Sequence, residues 1–159
     1  MKLTVAESWV EGPLRRFVDE ARVLTAVLLA PSGQVLGQHG FARSMDVMSA
    51  CALAAAIHAS ASELGRQLDG KPFAGLHHAG RLKQIFLSAT ETKRGGVLLL
   101  TVFDQETSLG LVQLYFTELS RDLIASAPEK DEGGVMLPET FERDLNRSLA
   151  VLFGRAQTS

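Results

Sequence analysis

The sequence predicts an α+β fold, an antiparallel sheet with helices on both faces, and three observations carry that reading. Short apolar runs are joined by turn signals at Pro31-Ser32-Gly33 and Lys93-Arg94-Gly95-Gly96, so neighbouring strands return as hairpins. Two of those runs, Val23–Ala30 and Val97–Phe103, hardly alternate, which places them at the sheet centre with cover on both sides. Segments of helical periodicity stand before, between and after the strands and supply that cover.

Each element has its own justification. Glu11-Gly12-Pro13-Leu14 opens a first helix, with Pro13 where a missing N–H costs nothing. Leu14, Phe17, Val18 and Ala21 then share one face. Val23–Ala30 and Gln34–His39 form the first hairpin. Ser44 is placed to cap a long Ala-rich helix over Met45–Leu68, with Asp46 in its first turn. Its expected core stripe is Leu53, Ile57, Leu64 and Leu68. Asp69-Gly70-Lys71-Pro72 stops it. Strands follow at Phe73–Ala79, Leu82–Thr90 and Val97–Phe103, with Phe73–Ala79 at a free sheet edge. Ser108 opens a helix whose stripe is Leu109, Val112, Phe116, Leu119 and Leu123. The domain is expected over residues 1–125. A flexible acidic linker follows over 126–137, then a C-terminal amphipathic helix over 138–154 carrying Phe141, Leu145 and Leu149.

Composition narrows the functional classes. The chain has 159 residues, 46% of them apolar and 21% charged, as in an ordinary globular domain. Sixteen Lys and Arg against eighteen Asp and Glu leave a net charge of −2. That lacks the basic footprint of a nucleic-acid binder. The lone Cys51 excludes an intramolecular disulfide framework and fits a reducing compartment. The opening residues lack the basic region and apolar core of a secretory signal, and no unbroken apolar run reaches the length of a membrane span. A cytoplasmic protein without a span is expected.

No catalytic signature stands out. Gly65-Arg66-Gln67-Leu68-Asp69-Gly70-Lys71-Pro72 nearly spells a phosphate-binding loop, but Pro72 replaces the Mg²⁺-binding hydroxyl and the motif ends a helix. His77 and His78 are adjacent on a strand, so they point to opposite faces; Cys51 and His58 are two helical turns apart. Neither pair makes a metal site, and no cofactor is expected. Asp104 and Glu106 flank a loop with no nucleophile beside them.

The long helix is the informative element. Opposite its expected core stripe, at 100° per residue, lies a face of Met48, Ala52, Ala55, Ala59, Ser62 and Arg66, small and nearly uncharged until its end where solvated helices carry Lys and Glu. Small residues let two backbones approach, so this is the candidate partner-binding surface; cover by the tail helix of the same chain is the alternative.

The order of helix, strand Val23–Ala30, turn, strand Gln34–His39, Ala-rich helix and three further strands resembles the roadblock/dynein light chain domain family. The stretch Gly96–Asp104 followed by Ser108-Leu109-Gly110-Leu111-Val112 is most similar to its MglB-type members, regulators of Ras-like GTPases. The resemblance covers residues 10–125. It implies a five-stranded antiparallel sheet in profilin-like α/β/α layers, with the second helix on one face and the first and third on the other. It implies a homodimer through the second helix and third strand that binds a small Ras-like (MglA-type) GTPase. Such dimers act in cell polarity and motility and stimulate GTP hydrolysis by reordering the partner's catalytic loops, without inserting an arginine. The chain would then need no active site of its own. Two other expectations stand beside this one: a dimeric scaffold that leaves hydrolysis unchanged, and a small-ligand sensor domain.

Overall fold

The computed structural model describes residues 7–40 and 46–129, together with Arg147. Ser44, residues 130–137 of the expected linker, and all of the expected tail helix except Arg147 lie outside the described residues. The elements below belong to the compact unit Met1–Ala127. They are α1 (Ser8–Ala21), β1 (Thr25–Leu29), β2 (Val35–Gly40), α2 (Val47–Asp69), β3 (Gly75–Ala79), β4 (Gln84–Thr92), β5 (Gly95–Phe103) and α3 (Leu109–Ser126).

The five strands form one sheet in the order β2-β1-β5-β4-β3, antiparallel at every pairing. All five residues of β1 are buried, as are Val97–Thr101 of β5, so the two least alternating runs do occupy the centre. Their side chains divide between two layers. Ala26, Leu28, Val97, Leu99 and Phe103 join Val10, Leu14 and Phe17 of α1 and Val112, Leu119 and Leu123 of α3. Val27, Leu29, Leu98 and Leu100 face the other way and meet Val47, Cys51 and Ala54 of α2. The α/β/α layering is therefore as expected, and β3 is an edge strand.

Several boundaries differ from the sequence reading for local reasons. α1 starts at Ser8 rather than beside Pro13, because Val10, fully buried, extends the Leu14–Phe17 stripe one turn back. α2 starts at Val47, and its cap is Asp46, whose carboxylate accepts from the Met48 and Ser49 amides at 3.1 and 3.3 Å. Those bonds are joined by the Ser49 hydroxyl at 2.9 Å, the strongest influence holding the Asp46 carboxyl below its ordinary range. The β4–β5 hairpin runs closer to its turn than expected, through Thr92 and Gly95, and Thr92 Oγ1 closes it on the Gly95 carbonyl at 2.9 Å.

Candidate functional site

The two faces of the sheet are covered very differently. Five side chains of α1 are buried, and α1 and α3 lie side by side, linked by Arg16–Asp122 at 2.9 Å. On the opposite face α2 is the one described helix, and only Val47, Cys51, Ala54, Ser62 and Gly65 of its 23 residues are buried.

That list corrects the expected core stripe. Leu53, Leu64 and Leu68 are 64%, 50% and 72% exposed, and Ile57 is 36% exposed. The helix is turned so that its small residues meet the sheet. The reason is volume: β1, β4 and β5 already present Val27, Leu29, Leu87, Leu98 and Leu100 on this face, so the facing helix must be slim to sit close. Gly65 shows how close. A Cβ there would lie 2.6 Å from the Phe73 amide nitrogen and 2.7 Å from the Lys71 carbonyl, where the chain folds back beneath the helix end. At the other end Gly33, in the β1–β2 turn with φ +95°, comes within 3.6 Å of the Ala52 Cα, measured from the Cβ it lacks. The near-miss phosphate loop thus does structural work: Gly65 admits the returning chain, and Gly70, at φ 75°, ends the helix.

The expected partner-binding residues separate into two groups. Met48, Ala52, Ala59 and Arg66 are exposed, Met48 at 78%. Ala55 is half-buried against the α2 core layer, and Ser62 is buried, its hydroxyl 3.4 Å from His58 Nε2. Ser62 therefore belongs to the helix underside rather than to an outer surface. Burial, and then the positive charge of Arg66, hold the His58 imidazole below its ordinary range. Burial alone pushes the Cys51 thiol up, so it is an inert packing group.

What the sequence reading missed is the outer stripe of large residues. The signal was present. Apart from Asp69 at its last residue, α2 carries Glu63 and Arg66 as its only charges, so apolar side chains had to point outward whichever way it turned. Among the described helices only α2 is long and apolar enough to cross a membrane by length and mean hydropathy. One side of it lies on the sheet, so its apolar excess is an outward-facing protein surface. β3 continues this unpartnered character: it is a sheet edge, and four of its five residues are exposed.

No metal-binding cluster accompanies this surface among the described residues. No group of three or more His, Cys, Asp or Glu side chains converges there. His77 stacks on Phe103 with ring centroids 6.0 Å apart and meets Gln84 Oε1 at 2.7 Å, an ordinary edge-strand arrangement.

The fold defines a class: an α/β/α domain in which, among the described residues, two helices cover one face of an antiparallel sheet and one helix with an exposed apolar stripe covers the other. Comparison with solved structures gives that class a name. The chain superposes on Myxococcus xanthus MglB with a TM-score of 0.68 at 24% identity, over 74% of this chain and 94% of that one. It matches an MglB with tetrameric arrangement at a TM-score of 0.67 and 21% identity, over 77% and 93%. A roadblock/LC7 domain from Streptomyces avermitilis follows at 0.58 and 20%, over 74% and 94%. No protein-family model and no curated protein matches the sequence. The fold is that of the roadblock domain, in its MglB-like form.

Proposed function

We propose that this chain is a non-catalytic homodimeric regulator that binds a small Ras-like, MglA-type GTPase and stimulates its GTP hydrolysis. The observation that carries the reading is the exposed stripe Leu53, Ile57, Leu64 and Leu68 on α2, set on an MglB-like fold. Water-exposed leucines in such a row cost free energy that a partner recovers, up to about 1.5–3 kcal/mol for each side chain fully covered. A second copy is the first such partner: a twofold through α2 and the β3 edge would cover the stripe and extend the sheet. The exposed remainder of the Ala face, Met48, Ala52, Ala59 and Arg66, then lies on the paired helices where a GTPase can dock.

The chemistry in this reading belongs to the partner. A surface without nucleophile or general base accelerates hydrolysis only by binding the GTPase more tightly in its hydrolysing conformation, which shifts that conformation's population. The setting is cytoplasmic, where such GTPases and a free thiol such as Cys51 both belong. A ligand-sensing role draws little support: four of the eight residues lining the crevice between α1 and α3, namely Arg16, Glu20, Glu118 and Asp122, are charged, whereas small-molecule pockets are mostly apolar.

The test is GTP turnover by the MglA-type GTPase of the same organism as the chain is titrated from none to excess. Turnover should rise to a plateau, and Ala59→Arg, at an exposed position, should abolish the rise while leaving the circular-dichroism melt unchanged. Binding without any rise would make the chain a scaffold. Absence of binding in every nucleotide state would refute the GTPase partner.

A further inference from the structure

A second outward seam lies on the opposite side of the sheet from α2. Along α3, Leu111, Leu114, Glu118, Arg121 and Ala125 are all exposed, the two leucines at 45% and 55%. Their spacing is 3, 4, 3, 4, the alternation that keeps one stripe of a helix against a neighbouring helix. The inner stripe Val112, Leu119 and Leu123 is already occupied by the core, and of the outer stripe Glu118 borders the crevice with α1 while Leu111, Leu114, Arg121 and Ala125 lie outside both. Its two charges have no ion-pair partner among the described residues, because the nearby Arg16 is engaged by Asp122.

We infer that α3 is a self-association surface, on which the α3 helix of a second copy packs antiparallel about a twofold axis. The sequence is self-complementary in that arrangement and in no parallel one. With the axis midway between positions 118 and 121, Glu118 faces the partner's Arg121 and Arg121 faces the partner's Glu118. The same axis sets Leu114 against the partner's Ala125, large against small, on both sides of the centre. A twofold interface brings each contact twice. Two charge pairs at its centre fix the register, as polar residues do in helical seams, while the flanking leucines supply the burial. This surface is independent of α2, which covers the other face. A chain using both surfaces would assemble beyond a dimer.

Charge reversal tests the seam directly. The 159-residue chain carrying Leu53→Glu, to disable the α2 stripe, is sedimented over a concentration series alone and with Glu118→Arg or Arg121→Glu added. Each reversal juxtaposes like charges twice and should weaken association about tenfold or more. Mixing the two singly reversed chains pairs one that is positive at both positions with one that is negative at both, and association should return. Both positions are exposed, so melting curves should match the parent. Recovery in the mixture is the expected result, and it separates this seam from cover by the tail segment or another protein, which mixing would not restore. A parent chain that stays a single chain at every concentration, or reversals that change nothing, or a mixture that fails to re-associate, would overturn the inference.

Discussion

Among the described residues, one face of the sheet is covered by two helices that bury their large side chains, and the other by a single helix that keeps its large side chains outside. Against α1 and α3 the sheet presents Phe103, Leu28 and Leu99, met by large side chains such as Phe17, Leu119 and Leu123. Against α2 it presents equally large residues, but the helix answers with Cys51, Ala54, Ser62 and Gly65 and keeps its leucines outside. The first face is optimised for the stability of a single chain. The second leaves the large side chains of its helix exposed.

The sharpest way to break the comparison is through the two-helix face. Phe103→Ala removes a fully buried ring and should cost about 3–5 kcal/mol, read from the urea midpoint. A cost near zero would mean that this core is not what holds the domain. On the α2 face the sensitive position is the smallest residue. Gly65→Val forces a side chain into the returning backbone at Phe73 and should destabilise by about 1–3 kcal/mol. If instead it is tolerated, the close approach of α2 to that segment is wrong.

The outer stripe should behave in the opposite way. At dilutions that leave single chains, Leu53→Ala should shift stability by no more than about 0.5 kcal/mol, as expected of a surface position. A loss of core size would place Leu53 inside after all. The smallest effect concerns the α2 cap. The folded-state pKa of Asp46 is lowered by its hydrogen bonds, so its contribution is present above the ordinary carboxylate range and is lost as pH falls through the folded value. The difference in melting temperature between the parent and Asp46→Ala should therefore shrink on acidification below that range; a constant difference would show that the carboxylate charge is not what caps the helix.

Much of this was legible in the residues. The unalternating β1 and β5, the Pro31-Ser32-Gly33 turn and the Ser108 cap identify the layers and their order, because strand burial and turn chemistry are local signals. The rotation of α2 was not. Assigning Leu53 and Leu64 to the core follows from treating size as burial, a rule that fails when the opposing sheet already fills the space. The same error put Ser62 on the outside. Only the volumes of Val27, Leu29, Leu98 and Leu100 decide which side of the helix is inward, and those come from strands far away in sequence.

The α2 face is tested most directly by the mass of the chain in solution. In a Glu118→Arg background, chosen to weaken the proposed association through α3, sedimentation equilibrium is compared with and without Leu53→Glu and Leu64→Glu. Association through the α2 face predicts the mass of two chains without the glutamates and of one chain with them, with the same circular-dichroism melt at dilution. One mass for both, whether single or paired, would contradict the claim that the outer stripe of α2 is where this protein meets its partner.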